Sequence, residues 1–397
     1  MKHYLRGTHR IRPPAETVDL LRPLFQVFGI TRIADVTGLD RVGLPTMVAC
    51  RPNSRSMAVS QGKGVTPEAA VASAVMESIE IFHAERIAQP VLHACYEDIR
   101  YSHNIVRIDD LPFNSGRPFD PYVQMLWIQM QRLEDQTGIW APYELVHTNY
   151  TRPLPPGSGF FLSSSNGLAS GNSRAEAATH GLCEVIERDA IALWTQLPWD
   201  RRDARRVDQS TIKDPDLQQI LQKFAAADID LAIWDVTSDI GVPVFLTWAC
   251  ERGNIPALLS RPSVGAGCHP MREIALSRAL TEAAQERLTL ITGSRDDLQQ
   301  DFYKEMQFRE LIARPGQLDF TARPSLHAPT PEDDLSWVQI RLQDAGLKDA
   351  CMIDITAPYV ADHISVVRVL VPGLEGACDD DRYTPGARAA SAQELMS

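Results

Sequence analysis

The sequence predicts an α/β fold in which helices pack on mixed or antiparallel sheets in repeated subdomains. Three observations predict it. One spacing recurs three times in 397 residues: a glycine-containing turn, an alanine, a glutamate seven residues on, and a carboxylate or carboxamide three beyond that. Two pairs of β-branched runs are separated by turn residues. The segments with the glutamates also carry apolar neighbours at helical spacing. A chain of this length exceeds one small core and holds two or three subdomains.

The elements follow in order. Residues 1–58 read as an N-terminal region packing on the core: Arg6, Arg10 and Arg12 precede Pro13-Pro14, and helical periodicity runs over 17–27. Residues 59–376 form the main domain. Its first repeat runs through Gly62 and Gly64 to Ala70, Glu77 and Glu80, with Thr66 as N-cap and Pro67 at the first helical position. Residues 101–125 are a loop, as are 150–160. The second repeat runs from Gly171 through Ala177 to Glu184 and Glu187, and Ser173 with Glu176 matches a capping box. Residues 231–236 and 242–250 read as a hairpin. The third repeat runs from Gly265 and Gly267 through Ala275 to Glu282 and Gln285. His269-Pro270 starts its helix and Gly293 stops it. Residues 297–335, polar and proline-rich, run over the surface. Residues 350–356 and 364–371 form a second strand pair. Residues 377–397 are a tail, either mobile or ordered only against the site.

Composition narrows the function. Hydrophobic residues make up 44% and charged residues 23%, which excludes a disordered, collagen-like or disulfide-scaffold chain. With 51 acidic against 39 basic residues the net charge is −12, so no nucleic-acid partner is expected. Seven cysteines, an odd number with no C-x-x-C, read as reduced thiols of a cytoplasmic protein rather than disulfides or a zinc site. The first residues lack an apolar signal core, and no run of about 18 apolar residues predicts a membrane span.

Residues three apart share a helix face. Glu77/Glu80, Glu184/Glu187 and Glu282/Gln285 are therefore pairs aimed one way, beside apolar neighbours such as Val75, Ile79, Val185 and Ile186. A desolvated carboxylate is costly without a partner. Arg188 and Arg278 are too few for all of them, whereas Mg2+ takes a few carboxylates plus phosphate oxygens. Converging helices would build a pocket for Mg2+ and a nucleoside triphosphate. Plainer readings compete at each position. One E-x-x-E is most often a solvated face. Glu176 serves as a capping partner, and Lys63 in a glycine turn is a turn lysine. Arg278 and Glu282 form a helix ion pair, Cys183 is a buried small residue, and His180 is packed or at the surface. Three coincident repeats favour the site, because independent surface pairs have no reason to share a spacing. No G-x-x-x-x-G-K-[ST] loop is present.

The segments from Ser60 to Gly64 and Ser73 to Glu80, from Ser165 to Asn172 and Glu184 to Ala190, and from Arg278 to Gln285 resemble the YcaO family. The likeness runs to about residue 375, with three motifs in order. It implies a YcaO-like fold around a central ATP site, with ATP and Mg2+ used to activate a peptide amide by O-phosphorylation. By this resemblance Glu77, Glu80, Glu184, Glu187 and Glu282 hold Mg2+. Arg10, Thr17, Ser73, Asn172, Glu176, Arg188, Arg278 and Glu282 contact nucleotide or its ligands. Glu184, Glu187 and Arg188 carry the catalytic role. The first motif ends Glu80-Ile81, where many members have Glu-Arg.

Residues 29–32 and 37–40, 290–297 and 371–375 look like members that work with a TfuA-like partner protein. Those make backbone thioamides on a precursor peptide, with a sulfur donor as the source of the nucleophile. No P-x-P-x-P tail of the azoline-forming type is present. Alternatives are an azoline-forming cyclodehydratase, a macroamidine-forming member, and an ATP-binding accessory subunit without catalysis of its own. A homodimer is implied by the family only.

Overall fold

The structure, a computed structural model, describes residues 1–252, 261–293, 312, 314–376, 378 and 382–394. Twelve strands among these residues form three antiparallel sheets. The first orders β1 (Arg32–Asp35), β2 (Thr46–Cys50) and β3 (Val59–Lys63). The second, larger sheet has the order β4 (Val91–Ala94), β5 (Met125–Arg132), β11 (Cys351–Asp354), β12 (Ser365–Leu370), β7 (Leu168–Gly171), with β6 (Gly138–Pro142) also on β5. The third orders β10 (Ser263–Cys268), β9 (Val244–Glu251) and β8 (Ile229–Asp235). Helices of eight or more residues are α1 (Pro14–Leu21), α2 (Pro67–Ala84), α3 (Arg174–Gln196), α4 (Pro215–Ala226), α5 (Arg272–Thr292), α6 (Pro331–Asp344) and α7 (Ala387–Glu394).

Each sequence repeat is one strand feeding one helix: β3 into α2, β7 into α3, β10 into α5. The glycines and alanines of the repeat are explained by how closely the two pack. A Cβ on Gly62 would lie 2.2 Å from the Ala70 carbonyl oxygen, and one on Gly171 2.6 Å from the Ala177 nitrogen. On Gly267 it would lie 2.1 Å from the Ala275 oxygen. Only glycine on the strand and alanine on the helix allow this approach. Ala70, Ala177 and Ala275 are fully buried there, and the glutamate seven residues on lies two turns further along nearly the same helix face.

The core has three main parts. One joins α3 and α6 to the second and third sheets through Trp194, Trp234, Val338 and Val367. A second sets α2 against the large sheet, with Ile79, Trp127, Phe161 and Val366. The third buries α4 and α5 on β8 and β9 through Phe224, Leu280, Ile233 and Phe245.

Both expected strand pairs form: Ile233 faces Thr247 in β8–β9 and Ile353 faces Arg368 in β11–β12. The Thr66 hydroxyl accepts from Ala69 N at 3.2 Å, and Gly293 ends α5 in the left-handed conformation at φ 56°. Other expectations shift. The periodic segment after Pro13 breaks at Leu21 into a short 3-10 turn, because Pro23 offers no amide hydrogen. The third helix starts at Arg272, not at Pro270; the His269 ring accepts from Met271 N at 2.9 Å and closes a turn first. The surface run expected over 297–335 falls partly outside the described residues (294–311 and 313). Its end is ordered, since Thr330 caps α6. The family-like segment 290–297 lies outside them beyond Gly293. Within the tail, α7 lies against α3.

Candidate functional site

The polar face of each repeat helix is bonded to a different repeat. From α2, Glu80 accepts the Ser170 hydroxyl of β7 at 2.6 Å. From α5, Glu282 is ion-paired with Lys63 of β3, and Gln285 donates to the Gln61 carbonyl at 3.0 Å. From α3, His180 meets Arg278 of α5 with Nε2 3.0 Å from Nη2. Burial and the nearby Arg278 charge push His180 well below its ordinary range. The ring is therefore neutral and its Nε2 accepts from the guanidinium. The three units close on one another around the glutamates.

Charge is unevenly spread in this ring. Burial raises Glu80 to about 8; the Ser170 bond opposes it, and Glu77 and Glu184 add repulsion. Burial and the Glu282 charge raise Glu187 to about 7 against Arg278, Arg188 and Lys63. Burial also raises Glu184, with Arg188, Arg368 and Arg278 opposing. For Glu282 burial is outweighed by Lys63, Arg188 and Arg278, and its carboxyl sits below the usual range. The Glu187–Glu282 end is thus served by three cations. At Glu80 the strongest neighbouring charges are both negative. A divalent cation there would relieve the repulsion and displace the raised proton. The oxygen donor set suits Mg2+, although among the described residues no three His, Cys, Asp or Glu side chains are yet drawn together to hold an ion.

The N-terminal region meets α3 beside this ring. Glu176, buried at the first turn of α3, accepts from Ile11 N at 2.6 Å and from Asn172 N at 3.0 Å. Its carboxylate reaches one residue past the Ser173 cap, so the expected capping box closes on Asn172 instead. The Asn172 side-chain oxygen accepts from Thr17 at 2.7 Å. A small cleft runs between Arg10, Glu176, His180, Cys183, Cys268 and Arg278.

The structure therefore joins Arg10, Thr17, Asn172 and Glu176 at one end, and Glu77, Glu80, Glu184, Glu187, Arg188, Arg278 and Glu282 in the ring. Ser73 lies half-buried on α2 one turn before Glu77. Two plainer sequence readings are corrected. Lys63 is no turn lysine, because β3 aims it at Glu282. Arg278 and Glu282 are not each other's partners, because α5 turns them to His180 and Lys63. The expected shortage of cations also narrows, since Lys63 and Arg368 join Arg188 and Arg278. Cys183 is buried, as read. Sequence reasoning missed Ser170 and Arg368. The second left a signal: one arginine inside the apolar run Val366-Val367-Arg368-Val369-Leu370.

Comparison with known proteins bears on this geometry. A family profile described as YcaO cyclodehydratase, ATP- and Mg2+-binding, matches residues 61–375. An uncharacterised protein in the tfuA 3′ region of Rhizobium leguminosarum bv. trifolii is 35% identical over 396 residues, covering 95% of this chain and 91% of its own length. Among solved structures, a heterocyclase in complex with substrate and cofactor is similar with TM-score 0.77 at 25% identity over 94% of this chain. The chain spans 54% of that heterocyclase's length. YcaO from Methanopyrus kandleri, bound with AMPPCP and Mg2+, is similar in fold with TM-score 0.74 at 21% identity, covering 97% of both chains.

Proposed function

The chain belongs to the YcaO family of ATP- and Mg2+-binding, peptide-modifying enzymes, and we propose that it converts a backbone amide of a precursor peptide to a thioamide. It would act with a TfuA-like partner protein and a sulfur donor. The observation that carries the reading is the unequal charge of the ring: a cation-poor end at Glu77 and Glu80, and an arginine-rich end at Arg188 and Arg278, with Glu184 facing both. A magnesium triphosphate has the complementary pattern. The tfuA-region location of the Rhizobium relative's gene supports the thioamide outcome.

In this reading Glu77, Glu80, Glu184, Glu187 and Glu282 hold Mg2+, which when bound neutralises the triphosphate and spreads charge on the γ-phosphoryl group. Arg188 and Arg278 clamp phosphate oxygens with planar forks that lysine cannot supply. His180, neutral, fixes the Arg278 fork by accepting one of its hydrogens. Lys63 holds Glu282 ionised, ready to accept a cation. Arg10, Thr17, Asn172 and Glu176 line or build the end of the cleft that takes the nucleoside. Their network fixes Glu176 against two backbone amides before any ligand arrives. The overall change balances as amide, hydrosulfide and ATP giving thioamide, ADP and phosphate. Catalysis is then mainly positioning and charge stabilisation, with no protein nucleophile.

The test is to incubate the protein with Mg·ATP, sulfide, a TfuA-like protein and the short peptide encoded beside its gene. A gain equal to the sulfur-for-oxygen mass difference supports the proposal. Loss of one water instead would establish the azoline-forming reading, which the cyclodehydratase description and the heterocyclase likeness favour. No phosphate release in any combination would leave an ATP-binding accessory subunit. Light scattering of the purified chain tests the homodimer that the family implies.

A further inference from the structure

Arg368 stands in the middle of β12 with 3% of its surface exposed. Its Nη2 donates to the Ser164 carbonyl at 2.8 Å, while its Nη1 is buried with no partner. It makes no ion pair among the described residues, although Glu184 is near enough for each to alter the other's proton affinity. Burial lowers the guanidinium only to about 10, so it stays charged.

Other orphaned groups lie on the segments that reach it. His147 accepts from Asn149 N at Nδ1, 3.1 Å away, so its hydrogen sits on Nε2, and that nitrogen is buried without an acceptor. His147 stacks on Tyr143 at 4.7 Å and is held neutral by burial and by the Arg368 charge. The hydroxyls of Thr148 and Ser163 and the Asn166 side-chain oxygen are also buried and unmatched. They lie on two segments that reach Arg368: residues 147–148, where His147 feels its charge, and residues 163–166, where the Ser164 carbonyl accepts its hydrogen bond. Buried polar groups are nearly always satisfied, so a cluster of orphaned donors beside a half-buried carboxylate reads as a place kept for an acceptor. Glu184 feels the Arg368 charge as well as those of Arg188 and Arg278 at the arginine-rich end.

We propose that Arg368, His147, Thr148 and Ser163 form an oxyanion subsite on the acceptor side of the carboxylates, where the phosphoryl group sits as it passes to the peptide oxygen and leaves as orthophosphate. This rests on the ATP reading above. In the transfer, the substrate oxygen bonds to the γ-phosphorus as that phosphorus parts from its bridging oxygen, and ADP takes the electron pair. Hydrosulfide from the donor then adds to the amide carbon, the carbon–oxygen bond breaks as the carbon–sulfur double bond forms, and phosphate leaves with the bonding pair and takes up the thiol proton.

Inorganic phosphate is the probe, titrated by calorimetry into the full chain saturated with Mg·ADP. Phosphate should bind the wild type. Arg368→Ala should weaken it about tenfold or more, and His147→Phe, which keeps the stacking, by a few-fold, with Mg·ADP affinity held within about threefold in each. Arg368→Lys, the safer variant for folding, should recover part of the loss. Equal phosphate binding in wild type and variants overturns the proposal, as does no phosphate binding to the wild type. A parallel fall in ADP affinity also overturns it, since Arg368 would then be a nucleotide contact. Failure of wild type to bind Mg·ADP at all would undo the ATP reading itself, a separate result.

Discussion

Glu80 and Glu187 are each the second glutamate of a repeat, yet their neighbours differ in sign. Glu187 has Arg278, Arg188 and Lys63 nearby, whereas Glu80 has Glu77, Glu184 and one hydroxyl. Glu187→Gln should abolish peptide-dependent ATP turnover, read as phosphate release, while thermal unfolding stays within about 3 °C of wild type. Glu80 permits a prediction with a sign. Its carboxyl is raised from 4.5 to about 8 in the folded chain, so the folded state holds the proton more tightly than the unfolded one. Metal-free stability contributed by this group is complete below about pH 4.5 and is lost as pH rises towards about 8. Mg2+ displaces the proton, so its stabilising effect should grow over the same window. Scanning fluorimetry at pH 6 and pH 8 with and without Mg2+ checks this; Glu80→Gln should raise the metal-free melting temperature by about 1–3 °C and flatten the response to Mg2+.

At the scale of elements, the strand–helix unit depends on bare backbone contact. A methyl on Gly267 would sit 2.1 Å from the Ala275 oxygen and 2.7 Å from the Ala279 nitrogen, both backbone atoms that have no room to yield. Gly267→Ala should therefore cost about 3 kcal/mol or more, or prevent folding. Gly293→Ala meets nothing within 4 Å and carries only its positive φ, so about 1 kcal/mol is expected. Urea unfolding of the two variants separates packing from backbone strain. This contact also explains what was legible locally. The Thr66 and Ser173 N-caps and the stop at Gly293 are short-range chemistry and form as read, while the Glu176 half of the capping box moves to Asn172 N. The start of α5 was misplaced because His269 caps a turn through its own ring, a choice that composition does not announce.

At the scale of the whole molecule, the C-terminal segment braces the site helix from behind. Arg388 of α7 makes two bonds to Asp189, at 2.9 and 3.0 Å, and reaches Asp239. Asp189 is fully buried and adjoins Arg188 on α3. Glu375 accepts from Tyr383, Gly386 N and Ala389 N at 2.7 to 2.8 Å. Arg388→Ala would leave a buried carboxylate unpaired, a loss of about 3–5 kcal/mol. Thermal unfolding should show it, and Arg388→Lys should recover part of it. None of the described helices is long and apolar enough to cross a membrane.

The three repeat helices, their caps, the two strand pairs, the family likeness and the carboxylates proposed to hold Mg2+ were legible in the sequence. Those follow from spacing within a few residues, where helix period and turn chemistry act. Which charge meets which is fixed by the packing of distant segments. Lys63 pairs with Glu282 across 219 positions, Ser170 with Glu80 across 90, and Arg278 with His180 across 98. Arg368 comes near Glu184 because β12 lies between β7 and β11. Such pairings depend on how the sheets and helices pack to bury apolar surface, and local sequence does not encode that geometry.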